Sequence, residues 1–269
     1  MKKKFLYIIL AVFIFTVMLP MVVGAFDMSA IAVEYDEIGR FSDGMAWIRH
    51  GDKFGYIDES GELVIPLIFD AFYETLYGEI IALMNDFAEG LAAISVDEKC
   101  GFIDETGDFV IQPLYDGDFF KGEWISYMPK FNSGLARIKK GGKFGYIDKY
   151  GNVAVPFEYA WAGDFHTGFF TEGLIRVSKV DYGDERKWGF VDTSGNVVVP
   201  LMYGFVQSFS NGLAAVTHDY DSGSGNYGFI DRTGRVVIPL EYNIGNQWTG
   251  FSYFNEHGLA IEHCPQRER

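Results

Sequence analysis

The sequence predicts an all-β protein made of tandem three-stranded antiparallel meanders. Three observations favour this fold class. One short block of residues recurs five times, its apolar runs are short and bounded by glycine-containing turns, and helix periodicity is weak beyond a short stretch near residues 74–83. The 269 residues are 48% hydrophobic and 17% aromatic, with 32 Gly, which excludes a disordered chain, a collagen and a coiled coil.

The recurring block is aligned on one glycine, here called the strand glycine. An aromatic residue follows it directly, an aspartate stands three positions later, a second glycine (the turn glycine) six later, and an aromatic residue fourteen later. A Phe-x-x-Gly landmark precedes each block, and a looser sixth copy of this landmark begins at Phe254. The strand glycines are Gly55, Gly101, Gly145, Gly189 and Gly228, and the landmark phenylalanines are Phe41, Phe87, Phe131, Phe170 and Phe209.

The third copy shows the expected order of elements. Residues 134–139 form a first strand, and Gly141-Gly142 is a hairpin signal because both positions can adopt positive φ. A second strand follows over residues 143–147. Asp148-x-x-Gly151 then predicts a turn, in which aspartate caps the first position and glycine takes the left-handed one.

The third strand covers residues 153–155, and Pro156 either ends its ladder or lies on a sheet edge. In the fourth copy residues 197–199 are all valine, which predicts cover on both faces of this strand. The glycine within the second strand predicts a bulky group over the backbone, and we expect an aromatic ring there. A single meander cannot bury two apolar faces, so the units must stack on one another.

The two ends of the repeated region leave two arrangements open. Residues 31–36 resemble the tail of a repeat and residues 258–261 resemble the head of one, so together they could complete a sixth unit and close a propeller-like ring. Both could equally cap an open array. The spacing between copies is uneven, since 17 residues separate Phe69 from Phe87 but only 5 separate Tyr203 from Phe209. Uneven linkers favour the open array.

The block from Lys143 to Asn152 resembles the bacterial WG-repeat family, also called KWG repeats. The resemblance extends from Phe41 to the C-terminus, although only Lys187-Trp188-Gly189 carries the Trp-Gly pair that gives the family its name. It implies an all-β repeat array, often exported and without catalytic residues. Residues 26–269 are therefore expected to form one WG-repeat β domain with about five full repeats and terminal half-repeats.

Residues 1–25 read as an export signal. Lys2, Lys3 and Lys4 form a positive region, residues 5–19 are apolar except for Thr16, and small residues favour cleavage after Ala25. The alternative is an uncleaved N-terminal membrane anchor, since the apolar stretch is about as long as a bilayer requires. Either reading places the remainder outside the cytoplasm, in the envelope or the extracellular space.

Charge and cysteine content narrow the range of partners. The net charge is −15, and leaving out the three lysines of residues 1–25 gives 19 basic against 37 acidic side chains, a net of −18. Phosphate backbones repel such a body, so nucleic acid is not an expected partner. The two cysteines are far apart in sequence. Cys100 reads as a small buried residue, although pairing with Cys264 stays open.

The sequence holds none of the metal, phosphate or nucleophile motifs that we searched for, so no catalytic residue, metal or cofactor is expected. The repeated aspartates are explained by their turns. Trp124, Trp161 and Trp248 lie between repeats and are the candidate ligand-binding residues, because loop tryptophans stack on sugars or anchor peptides. They could instead wedge adjacent repeats together.

The expected function is that of an exported, non-catalytic repeat module whose extended surface binds a protein, a peptide or a cell-wall glycan. Two alternatives remain. One is a structural envelope scaffold without a specific ligand. The other is a hydrolase with carboxylates gathered at one end of a ring, which would need two acids roughly 5–10 Å apart in a cleft.

Overall fold

A computed structural model describes residues 35–70, 72–74, 80–82, 85–97, 99–116, 128–163, 169–181, 183, 186–219, 226–243, 252–254 and 260–261. Every regular element among these residues is a β-strand. The described part contains no helix that is long and apolar enough to cross a membrane. Residues 1–25, expected to be the export signal, lie outside the described residues.

The strands follow the repeats along the chain. Repeat one and the hairpin after it contain β1 (Glu37–Ile38), β2 (Met45–His50), β3 (Lys53–Asp58), β4 (Leu63–Asp70), β5 (Phe72–Glu74) and β6 (Ile80–Ala82). Repeats two and three contain β7 (Ala92–Val96), β8 (Lys99–Ile103), β9 (Phe109–Asp116), β10 (Phe131–Asn132), β11 (Leu135–Lys140), β12 (Lys143–Asp148) and β13 (Val153–Tyr159). Repeats four and five and the last hairpin contain β14 (Trp161–Ala162), β15 (Leu174–Ser178), β16 (Trp188–Asp192), β17 (Val197–Tyr203), β18 (Phe205–Val206), β19 (Leu213–Thr217), β20 (Asn226–Asp231), β21 (Val236–Asn243), β22 (Ser252–Phe254) and β23 (Ala260–Ile261).

The predicted three-stranded antiparallel meander is present in all five repeats, and the open array is confirmed. The described strands form separate sheets of two to four strands, none of which closes into a barrel. In repeats one, three, four and five a two-residue leading strand adds a fourth strand to the meander, a feature that the sequence analysis did not predict. The third strand of each meander, called the outer strand, lies at the sheet edge: β4, β9, β13, β17 and β21.

The strand glycine faces an irregularity in the outer strand. Cys100 pairs with Tyr115 and Phe102 pairs with Ile111, so the outer strand has two residues more than its partner over this interval. A Cβ on Gly101 would lie 2.6 Å from the Ile111 carbonyl oxygen. At Gly101 backbone of the same repeat therefore occupies the space in which we expected an aromatic ring, whereas at Gly145 the Phe157 ring of the same repeat lies 2.8 Å from the Cβ position, as predicted. The irregularity also explains the proline, which is tolerated on edge strands and at bulges.

The Asp-x-x-Gly turns form as the sequence predicts. The five turn glycines have φ between 79° and 88°, and each aspartate accepts backbone N–H groups from the residues two and four positions later. Asp231 also accepts the Thr233 hydroxyl at 2.6 Å and the Arg235 guanidinium at 3.0 Å. These bonds give each carboxylate a structural role, as the sequence analysis expected.

The Asp231 turn predicts a loss of stability in acid. The hydroxyl of Thr233, and then backbone N–H groups and Arg235, hold the pKa of Asp231 down to about 2. Since the pKa in the unfolded chain is about 3.9, the carboxylate stabilises the fold above that pH and loses this effect as pH falls towards 2. Thermal unfolding between pH 2 and 6 should show the difference between Asp231→Asn and wild type shrinking as pH falls. Thr233→Ala removes the main donor to Asp231, so the pKa of Asp231 should move closer to its unfolded value. The pH range over which stability is lost should then be narrower. A difference that does not change with pH would contradict the prediction.

Adjacent repeats are joined by one aromatic contact that recurs four times. The aromatic residue after the strand glycine meets the landmark phenylalanine of the next repeat, with ring centroids 4.7–4.9 Å apart and interplanar angles of 60–73°. The two motifs that define the repeat in the sequence are therefore contact partners across each junction. The pairs are Tyr56–Phe87, Phe102–Phe131, Tyr146–Phe170 and Phe190–Phe209.

The hydrophobic cores also lie between repeats. Each of the four largest clusters combines residues of two consecutive repeats; one of them joins Tyr56 and Ile65 of repeat one to Ile94 and Ile103 of repeat two. A Cβ on the turn glycine Gly107 would lie 3.2 Å from the Ile65 side chain. Each repeat thus buries its apolar face only with the help of its neighbour, as the sequence predicts.

Carboxylates cap the turns of the following repeat. The Gly90 N–H donates to Asp43 at 2.9 Å, and two later junctions repeat this bond from Gly134 to Glu89 and from Gly212 to Glu172. At the hairpin between β11 and β12, the Gly142 N–H donates to Asp116, the last residue of β9, at 2.8 Å. Asp36 accepts the Gly51 N–H at 2.7 Å at the corresponding hairpin of repeat one.

The described residues differ from two local expectations. Val199 is buried in the cluster shared with repeat five and Leu201 packs against the cluster shared with repeat three, but Val197 is 53% exposed, so the expected cover of the valine run is wrong at Val197. Of the possible short helical turn near residues 74–83, Glu74 and Ile80–Ala82 lie in the antiparallel pair β5–β6, and the other residues lie outside the described part. Within the described residues β22 pairs with β23. Part of each predicted end segment, residues 31–34 and 258–259, lies outside them.

Candidate functional surface

The outer strands of repeats one and two expose apolar side chains to solvent. Val64 and Ile68 on β4 are 37% and 59% exposed, and Val110 and Leu114 on β9 are 43% and 67% exposed. The four residues, here called the apolar strip, occupy the same two positions in adjacent repeats. Neighbouring exposed apolar residues of this kind mark contact surfaces more often than single ones do.

The other repeats show that the fold does not require an apolar residue at the second of these positions. It is occupied by Ile68, Leu114, Glu158, Met202 and Glu241 in repeats one to five. Glu158 on β13, in an ion pair with Lys179 at 3.0 Å, and Glu241 on β21 are exposed on outer strands whose meanders are intact. Burial in this structure therefore does not explain Ile68 and Leu114.

The Asp-x-x-Gly turns next to the outer strands carry more negative charge in repeats one and two than in the later repeats. The residues four and seven positions after the strand glycine are Glu59 and Glu62 in repeat one, and Glu105 and Asp108 in repeat two. We call these four exposed residues the acidic turns. The same positions hold Lys149 and Asn152, Thr193 and Asn196, and Arg232 and Arg235 in the later repeats. Among the described residues, no ion pair neutralises the acidic turns.

Trp161, a predicted ligand-binding residue, lies in β14 at the junction of repeats four and five. It is half-buried against the cluster that contains Trp188 and Val206, and its indole N–H donates to Asp181 at 2.5 Å. The Arg186 guanidinium lies 5.5 Å from the ring centroids of both Trp161 and Trp188. These contacts give Trp161 a packing role and use part of the ring surface that a sugar would need.

The other two predicted residues, Trp124 and Trp248, lie outside the described residues, so the structure does not show whether the three tryptophans come together. The apolar strip and the acidic turns were not predicted from the sequence. Both could have been found by comparing residue types at equivalent positions of the five copies, where Glu replaces Ile or Leu and Lys or Arg replaces Glu.

Two further expectations concern cysteine and metals. Cys100 is a fully buried free thiol among the residues that join repeats two and three, and burial raises its pKa. Cys264 lies outside the described residues. In the described part of the chain, no group of three or more His, Cys, Asp or Glu side chains is arranged to hold a metal ion.

The fold and the repeated junctions define a tandem β-repeat protein in which each meander stacks on the next. Residues 29–54, 54–100, 101–117, 144–181, 188–220 and 227–244 match the family described as WG containing repeat. These segments cover more than half of the chain. The chain therefore belongs to the WG-repeat family.

None of the curated proteins matches this chain. Among solved structures, it is similar to a eukaryotic initiation factor (13% identity, TM-score 0.41, 76% of this chain and 55% of that one). It is also similar to BamB from Moraxella catarrhalis (12%, 0.33, 75% and 59%) and to the Neurospora crassa Pan2 WD40 domain (15%, 0.32, 73% and 61%). The chain spans less than two thirds of each of these structures, and TM-scores this low do not establish a shared fold.

Proposed function

We propose that this protein is an exported, non-catalytic repeat module that binds a protein partner through its outer strands. The observation that carries the proposal is the exposure of Ile68 and Leu114 at a position that Glu158, paired with Lys179, and Glu241 occupy in other repeats of the same fold. Grouped solvent-exposed apolar side chains that the meander does not require support contact with another molecule. The stacked repeats supply a rigid support for that contact.

The described carboxylates favour binding over hydrolysis. The repeated aspartates are occupied by backbone N–H groups of their own turns, and Asp43, Glu89 and Glu172 cap the turns of the next repeat. These acids are therefore used in holding the array together.

The apolar strip predicts the result of a double substitution. Ile68→Glu with Leu114→Glu should leave the thermal midpoint close to that of wild type, because the fold accepts glutamate at this position. The same variant should retain at least tenfold less partner from an envelope extract, since two desolvated charges would face the bound protein. Glu241→Gln is the matched control on the outer strand of repeat five, because no ion pair among the described residues involves Glu241. Equal retention by the double variant and wild type would contradict the proposal.

Export and glycan binding are further parts of the proposal. Lys2, Lys3 and Lys4 before the apolar run support export, and N-terminal sequencing of the mature protein should begin at Phe26 if cleavage follows Ala25. Recovery of the intact N-terminus from the membrane fraction would indicate an anchor. Retention on isolated cell wall, compared between wild type and Trp161→Phe, tests the glycan reading separately from the protein partner.

A further inference from the structure

We propose that the outer strands β4 and β9 bind an extended peptide segment that carries alternating apolar side chains and basic residues. The inference rests on the proposed function and names the chemistry of the partner. It combines three features of repeats one and two: an unpaired sheet edge, the apolar strip and the acidic turns.

The sheet edge supplies backbone groups. β4 and β9 are each eight residues long and are the last strands of their sheets, so within the described residues one side of each strand has no strand partner. Pro66 in β4 and Pro113 in β9 donate no N–H and lie in the irregular stretch of each strand, so pairing there is limited. The other residues of such an edge accept an added strand through main-chain hydrogen bonds, while side-chain contacts set the specificity.

The apolar strip supplies the side-chain contacts. Val110 and Leu114 are four residues apart on β9, as Val64 and Ile68 are on β4, and each pair alternates with the buried Ile111 or Ile65. A partner strand that follows this edge would place alternate residues beside the strip, because successive side chains of a strand point to opposite faces. A partner peptide with apolar residues at alternate positions would therefore place them against the apolar strip.

The acidic turns select the charge of the partner. Glu62 and Asp108 directly precede β4 and β9, and Glu59 and Glu105 lie on the same turns. At the far end of the strands the acids are already paired, Asp70 with Lys53 and Asp116 with Lys99. The negative charge left uncompensated is therefore at the turn end, where lysine or arginine of the partner would lie.

Peptides of about ten residues, long enough to follow an eight-residue strand, test the inference with the full chain. The probe is a fluorescein-labelled peptide in which valine alternates with lysine and threonine. Comparison peptides replace lysine by glutamate, replace valine by serine, or methylate the amide nitrogens that would pair with the edge. Fluorescence anisotropy should show binding of the probe and at least tenfold weaker binding of all three comparison peptides.

Variants of the protein locate the contact. Glu59→Lys with Glu105→Lys copies Lys149 of repeat three, so it should fold normally, weaken binding of the basic peptide about tenfold and improve binding of the acidic one. Thr193→Lys with Asn196→Lys adds positive charge to the same turn positions of repeat four and should leave binding unchanged. Circular dichroism confirms that each variant is folded.

The outcomes separate this inference from the proposed function. Equal binding of the methylated peptide would overturn strand addition, and equal binding of the serine peptide would show non-specific charge attraction. If no peptide binds while Ile68→Glu with Leu114→Glu still loses the envelope partner, the peptide inference fails and the proposed function stands. If that variant also retains its partner, both fail.

Discussion

Replacement of Gly101 by alanine should lower the free energy of unfolding by about 3 kcal/mol. The new Cβ would lie 2.6 Å from the Ile111 carbonyl oxygen and 2.7 Å from the Pro113 nitrogen, and both atoms are backbone. Because a backbone cannot turn aside as a flexible side chain can, the outer strand β9 would have to shift. The thermal midpoint should fall by roughly 6–12 °C, measured by circular dichroism.

Gly90→Ala is the matched control in the same repeat. A Cβ on Gly90 meets nothing within 4 Å, so only its left-handed backbone, with φ of +83°, opposes the substitution. This strain costs about 1 kcal/mol. If both variants lose the same stability, backbone strain rather than the approach of the outer strand would explain the strand glycine.

Phe87→Ala should remove about 3–5 kcal/mol, because the ring is fully buried between repeats one and two against Tyr56. In a stacked array each repeat contacts only its neighbours, so the damage should stay at one junction. Hydrogen exchange should accelerate in β2 and β3, while β16 and β20 keep the protection of the wild-type protein.

Phe209→Ala provides the reciprocal test, since Phe209 makes the same contact with Phe190 at the junction of repeats four and five. It should accelerate exchange in β19 and β20 and spare β2 and β3. Uniform acceleration in both variants would show that the repeats unfold as one cooperative unit, contrary to the prediction.

The sequence predicted the repeat unit well because the two motifs impose local geometry. Glycine at the left-handed position and aspartate at the cap fix the Asp-x-x-Gly turn, and alternation fixes the meander. The pairing of Tyr56 with Phe87 could not be read from either motif, since it depends on how two repeats stack. The leading strands are only two residues long and leave no periodic pattern to detect.

The exposed valines show a second feature that could not be predicted from the sequence of one repeat. A run such as residues 197–199 is apolar on both faces, which predicts cover on both, yet β17 is an outer strand and Val197 remains exposed. Composition alone does not separate an apolar residue buried in a core from one kept for a partner. Comparison of equivalent positions in the five repeats distinguishes the two cases, because Glu158 and Glu241 show that the fold accepts a charged residue at this position.

The carboxylate caps between repeats give the array a direction. Asp43 of repeat one receives the amide of Gly90 in repeat two, so the donor always belongs to the later repeat. Removal of either terminal repeat would leave one member of a cap to water and would also expose the apolar face of the repeat it packs on. A repeat added before the first must therefore present a carboxylate at the position of Asp43, and a repeat added after the last must present a glycine amide at the position of Gly90.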